Sequence, residues 1–222
     1  MEHTSITYEQ IKHHEEIRTY IRQADLALEA IGYTEHSFAH VTYVATRAGE
    51  ILEALGCDAR TAELARIAGY MHDIGNIVNR VDHAQSGAVM AFRILDKLGM
   101  EAAEVAQVVS AIGNHDESTG APVNAVAAAI ILADKTDVRR SRVREPIMRS
   151  YDIHDRVNYA VTGQKLELRK ENKEIALELT IDTQESTVMD YFEIFLSRML
   201  MCKKAAQFLG LSFKLCINGM TM

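Results

Sequence analysis

At 222 residues, 48% hydrophobic and 25% charged, the chain can bury one substantial core, or a core with a small satellite. Its formal net charge of −7 argues against a general nucleic-acid or membrane-surface binder, whose affinity for phosphate or lipid rests on excess Lys and Arg. Three cysteines, Cys57, Cys202 and Cys216, lack a CxxC spacing and read as reduced thiols of a cytoplasmic protein. The start, Met-Glu-His-Thr-Ser, shows no secretory leader, and the apolar run 125–133 is far shorter than the roughly 18 residues of a membrane span.

Residues 9–31 repeat apolar side chains at helical spacing (Ile11, Ile17, Ile21, Leu28, Ile31) and end at Gly32. A second helix is expected over about 35–55, with Val41, Val44, Ala45, Ala48, Ile51, Leu52 and Leu55 on one face, closed by Gly56. Asp58 caps a third, which runs to the doublet His72-Asp73 within Tyr70-Met71-His72-Asp73-Ile74-Gly75-Asn76. Asp82 caps a fourth, to about Leu98, before Gly99. A fifth covers about 101–114, and Pro122 starts a sixth that continues to about 140 and is apolar on nearly every side. The period then changes. Leu166 and Leu168 alternate with polar residues, Glu171-Asn172 turns, and Ile175, Leu177, Leu179 and Ile181 alternate again, which predicts a β-hairpin. Val157, Tyr159 and Val161 add a strand before it, 187–209 is helical, and Phe213, Leu215 and Ile217 alternate near the end. The expected fold class is mostly α: a helical bundle over 1–150 and a small α+β appendage over 151–222.

Four histidines and two aspartates fall on the inward stripes. His40 lies one turn before Val44, and His72 follows Ala65 and Ala68. His83 opens the stripe of Gly87, Ala91 and Leu95, His115 continues that of Val105, Val108 and Ile112, and Asp134 lies in line with Ala127, Ile130 and Ile131. A lone inward histidine is ordinarily a hydrogen-bonded core residue. An inward carboxylate is different, because an unpaired buried charge costs several kcal/mol. A divalent cation supplies the missing charge and accepts neutral imidazoles as well. Elsewhere, His13-His14 interrupts its apolar stripe and reads as exposed. The His154-Asp155 doublet lies on no apolar helix and reads as chance. Met189, Met199 and Met201, with Phe192 and Phe195, suit core or homodimer packing.

The ordered set His40, His72-Asp73, Asp134 resembles the HD-domain superfamily of metal-dependent phosphohydrolases over roughly residues 35–145. The resemblance implies that His40, His72, Asp73 and Asp134 hold one metal. It further implies that His83 and His115 belong to a two-metal subgroup in which Asp73 bridges both ions, iron and manganese being the leading candidates. In such centres two ions about 3.5–4 Å apart lower the pKa of a bridging water, and the hydroxide attacks phosphorus in line. Asp73 would bridge and take the water proton. Lys135, Arg139, Arg140 and Arg142 are candidate phosphate clamps, with Lys135 and Arg142 the expected catalytic cations, against the plainer reading of a solvated basic face. Asn114 is a further substrate contact, and His36 and Asp137 would support the ligands from outside. The chain departs from the HD-GYP cyclic-dinucleotide phosphodiesterases. Asn76 replaces a lysine, Asn114-His115 replaces paired histidines, and Gly120-Ala121-Pro122 lacks the tyrosine. The implied partner is a small phosphorylated substrate such as a nucleotide, with no nucleic-acid polymer and no membrane. A di-iron oxygenase, or a nucleotide sensor without turnover, are the alternatives.

Overall fold

The computed structural model describes residues 5–144 and 153–222, so the expected boundary at about residue 150 lies outside the described residues. The chain divides into two compact units, Met1–Asp134 and Lys135–Met222.

The first unit is helical. Thr7 and Gln10 form a reciprocal capping box that starts α1 (Tyr8–His13), and α2 follows at Glu15–Ala30. One continuous helix was expected here. The chain breaks instead at His14, whose backbone is extended. The reason is register. Ile11 and Ile17 are both fully buried, and six positions on an unbroken helix would turn them about 120° apart. Beyond the break, Ile17, Ile21, Ala24 and Leu28 form one stripe, and Glu15 and Glu16 favour a new N-terminus.

Helix α3 (Phe38–Ala54) packs on α4 (Ala59–Met71), which is capped by Asp58 through the Thr61 amide at 2.9 Å. The approach is close. A Cβ at Gly69 would stand 2.9 Å from the Cα of Ala45. A 3-10 turn, Ile74–Ile77, then leads to α5 (His83–Lys97), which packs on α6 (Ala102–Gly113). Asp82 occupies the cap position of α5 but makes no side-chain cap; its backbone is left-handed at φ 57° and its carbonyl takes the Ser86 amide. A short loop must reverse there, and aspartate tolerates that conformation. Helix α7 spans Ala125–Lys135, shorter than the expected 122–140. Asn124 caps it through the Ala127 amide at 2.7 Å. Beyond its end the Val138 amide bonds to Gln164 at 3.1 Å rather than continuing the helical ladder.

The second unit holds helix α8 (Ile153–Ala160), where the alternation of Val157, Tyr159 and Val161 predicted a strand. Val157 and Ala160, three apart, bury one helical face, and the strand starts only at Val161. His154 is thus on a helix, and exposed. The expected hairpin is present as β1 (Val161–Arg169) antiparallel to β2 (Glu174–Ile181). Helix α9 (Val188–Phe208), started by a Thr187–Asp190 capping box, carries the chain over to β3 (Ser212–Ile217), which runs parallel to β2. A tight Asn218-Gly219 turn, both residues at positive φ, adds β4 (Met220–Thr221), giving the order β1-β2-β3-β4. Among the described residues no helix is long and apolar enough to cross a membrane.

Candidate metal centre

Five stretches of the first unit deliver the inward polar groups. His40 comes from the first turn of α3, and His72 and Asp73 from the end of α4. His83 is the first residue of α5, His115 follows α6, and Asp134 stands near the end of α7. All six are buried, none more than 8% exposed. The local chain geometry explains why they meet. Gly75, directly after the doublet, lies so near α5 that a Cβ there would collide with the His83 carbonyl and the Gly87 amide. That backbone contact sets His83 beside Asp73.

The six side chains form two joined groups around Asp73. Its Oδ2 lies 3.1 Å from His72 Nε2 and 3.6 Å from His40 Nε2. Its Oδ1 lies 3.5 Å from His83 Nε2 and 3.8 Å from His115 Nε2. Asp134 Oδ1 completes the first group at 3.3 Å from His40 Nε2 and 3.7 Å from His72 Nε2. The ligand atoms of His40, His72 and Asp134 fall within 4.8 Å of one another, as do those of His72, Asp73 and His115.

Three of the rings are tethered in the same way. Nδ1 of His72, His83 and His115 meets the carbonyls of Gly69 (2.8 Å), Arg80 (3.0 Å) and Ile112 (2.7 Å). A carbonyl only accepts, so each Nδ1 carries a proton and each ring turns its Nε2, the atom that can bind a metal, to the cluster. His83 Nε2 and His115 Nε2 then face each other at 3.1 Å. Two lone pairs at that separation repel, and a cation between them removes the repulsion. Ligand atoms about 2.0–2.2 Å from one ion ordinarily stand about 3–3.5 Å apart. His72 Nε2, fully buried, faces two carboxylate oxygens, Asp73 Oδ2 at 3.1 Å and Asp134 Oδ1 at 3.7 Å. The residues present therefore fit a divalent metal.

The electrostatics agree. Burial opposes a charged ring at His72, yet Asp73 and Asp134 outweigh it and hold its pKa up at about 10. Burial likewise favours a neutral Asp73, and the rings of His72, His36 and His83 overturn that, keeping its carboxyl well below the usual range. A proton and a metal compete for the same Nε2, so uptake of an ion releases protons.

Other expected residues fall in varied places. His36 Nδ1 is tethered to the Thr34 carbonyl at 2.6 Å and its ring stands 5.4 Å from that of His40. Asn114 donates to the Ser110 carbonyl at 2.9 Å, closing the last turn of α6. The second unit carries Lys135, Asp137 and the arginines. Arg139 pairs with Asp137 at 2.5 and 2.9 Å. Arg140 donates to the Tyr159 carbonyl and stacks 4.0 Å from its ring centre. Arg142 is buried and donates to the Asp137 carbonyl at 2.8 Å. Lys135 is buried at the end of α7. Sequence reasoning passed over two residues. Asn76 Nδ2 lies 3.0 Å from both the carbonyl and Oδ1 of Asp73, and Arg80 reaches His83 Nε2 at 3.3 Å. The only sequence signal was spacing: each stands three residues from a ligand.

Residues 37–139 match the HD domain family. An uncharacterized protein of Methanocaldococcus jannaschii is 25% identical over 202 residues, covering 80% of this chain and 76% of that protein. A ribonuclease Y of Deinococcus radiodurans is 32% identical over 123 residues, covering 54% of this chain but only 19% of its own length. A crystal structure of a predicted HD superfamily hydrolase from an uncultured Thermotogales bacterium shares 29% identity over 57% of this chain and 69% of that one, with a TM-score of 0.46. His40, the His72-Asp73 doublet and Asp134 all lie inside the segment that matches the HD domain family, residues 37–139.

Proposed function

We propose that the protein is a metal-dependent phosphohydrolase acting on a nucleotide or other small phosphoester. The observation that carries this reading is the division of labour at Asp73: Oδ2 faces His40 and His72 while Oδ1 faces His83 and His115. A carboxylate with one oxygen toward each group is what a bridging ligand between two ions requires. His40, His72, Asp73 and Asp134 would hold one ion, and His83, His115 and Asp73 the second. Bound ions of this kind supply a water of lowered pKa and offset charge on a phosphoryl group.

The chain's own residues do the rest. The carbonyl tethers on His72, His83 and His115 hold the rings in the ligating tautomer before any substrate arrives. Asn76 grips Asp73 through both its carbonyl and Oδ1, which stops the carboxylate from rotating out of the plane the two groups share. With ions bound, Asp73 would be the carboxylate placed to take the proton of an attacking water. The four neutral imidazoles add no negative charge, so the two carboxylates leave a divalent pair with net positive charge for an anionic substrate. Lys135, Arg139, Arg140 and Arg142 remain candidates for binding phosphate. The ribonuclease among the relatives carries a name that implies phosphodiester cleavage, the same reaction class. The net charge of −7 favours a small substrate over a polymer here.

The test is a panel of mono- and cyclic nucleotides and nitrophenyl phosphoesters, offered to protein loaded with manganese or with iron under anaerobic conditions. Turnover of a phosphoester supports the reading. Oxygen consumption by the iron form without phosphate release replaces it with an oxygenase, and absence of bound metal removes both.

A further inference from the structure

Arg80 lies in the loop between the 3-10 turn and α5. Its Nη1 stands 3.3 Å from Asn76 Oδ1 and 3.3 Å from His83 Nε2. Its guanidinium carbon is 5.4 Å from the centre of the Tyr33 ring. An amide oxygen, an imidazole nitrogen and an aromatic face aim this side chain, and none of them carries a negative charge. No carboxylate among the described residues lies within ion-pairing distance of it. Arg47, Arg60 and Arg66 of the same unit pair with Glu50, Glu104 and Glu53, whereas Arg18 rests on the Phe38 ring much as Arg80 rests on Tyr33. Arg80 is therefore a positioned, half-buried cation with no direct carboxylate partner; the nearest acid on its path, Asp73, is reached only through His83 and Asn76.

Its relation to His83 is unusual. The carbonyl of Arg80 accepts from His83 Nδ1, while its side chain donates to Nε2 of the same ring. That Nε2 has a single lone pair in the ring plane. A metal ligated there takes the lone pair, and the Arg80 N–H must find another acceptor. The nearest acceptor such a centre brings is an anion shared with the ion. A guanidinium suits a phosphoryl group, because its planar fork can meet two oxygens at once.

We infer that Arg80 is the side chain that holds the phosphoryl oxygens of the substrate at the His83/His115 half of the cluster. The inference rests on the phosphohydrolase reading and adds to it the residue that meets the anion. It also names a group in the first unit, ahead of the arginines of 139–142, whose donors are engaged with Asp137 and Tyr159.

The experiment uses the full chain with Arg80→Gln and Arg80→Lys, each loaded with manganese. Three quantities are measured: metal per chain by elemental analysis, inorganic phosphate binding by calorimetry, and steady-state hydrolysis of bis(4-nitrophenyl) phosphate. The glutamine variant is expected to keep its metal and melting temperature while its Kd for phosphate rises about 10-fold or more, the size of a lost charge-assisted hydrogen bond. The KM for the ester rises with it, and lysine restores part of both. Unchanged phosphate affinity in the metal-loaded glutamine variant overturns the inference, as does a parent protein that binds no phosphate. Loss of metal in either variant overturns it too, by assigning Arg80 to holding His83 in place. A parent that binds phosphate through Arg80 but cleaves no phosphoester leaves the anion site standing and removes the hydrolase reading alone.

Discussion

On the C-terminal sheet, Lys165 meets Glu167 at 2.6 Å, Arg169 meets Glu167 at 3.0 Å and also reaches Glu178, and Lys214 meets Glu174 at 3.6 Å. In the helical unit, Asp73 and Asp134 face imidazole nitrogens instead, at 3.1 to 3.8 Å. The sheet pairs stand at a solvated surface, where each contributes about 0–1 kcal/mol and breaking one matters little. The cluster is buried, where carboxylates without a cation cost several kcal/mol. Acid paired with base on a wet surface is ordinary solvation. Acid ringed by tethered imidazoles inside a helical core is an arrangement that could hold a metal ion.

The strongest way to break this contrast is Asp73→Ala. It removes a contact to both histidine groups, so metal content should fall and phosphoester turnover should drop on the order of 10³-fold. Retained turnover in a metal assay and a rate assay run together would contradict the bridging role. Asn76→Ala should be milder, about 10–100-fold in metal affinity or rate, because it frees Asp73 to rotate without deleting a ligand. A titration of metal into the metal-free variant, followed by isothermal calorimetry, reads this directly.

Arg142→Ala sharpens the comparison from the other unit. Its side chain is buried and donates to the Asp137 carbonyl, so its loss should lower stability by about 1–3 kcal/mol, visible as a lower Tm. A KM that rises while Tm stays fixed would make it a substrate clamp after all. The smallest effect concerns Glu104, which Arg60 grips at 2.5 and 2.6 Å. The Arg60 hydrogen bonds hold the Glu104 carboxyl below its ordinary range. A depressed folded-state pKa stabilises fully above the unfolded value near 4.3 and is lost as pH falls through the lower folded value. Glu104→Gln should therefore cost about 0.5–1 kcal/mol at neutral pH. The gap from the parent should close in acid, and urea melts at pH 7 and in acid would expose a failure of that convergence.

The buried histidine and aspartate cluster was legible in the sequence because a polar group on an apolar stripe breaks the pattern around it. Asp134 after Ala127, Ile130 and Ile131 is the clearest case. The helices of the first unit were legible for the same reason, through Gly32, Gly56 and Gly99 as stops. The break at His14 was hidden because Ile11 and Ile17 are apolar in any register. Helix α8 was read as a strand because Val157, Tyr159 and Val161 satisfy alternation over too few residues to separate two periods. The parallel pairing of β2 with β3 joins distant segments, and nothing local encodes it. Asn76 and Arg80 stayed hidden because their roles lie in what they touch. A loop arginine has no periodicity to violate.

The collision space at Gly75 has a wider consequence. Two stretches of main chain touch there with no side chain as a cushion, so the doublet and the start of α5 move as one piece. Tuning of one histidine group by loosening the loop would drag the other group along. Substitutions that retune the centre are therefore expected at side chains that touch the cluster, such as Asn76, because the seam itself tolerates nothing larger than a hydrogen atom.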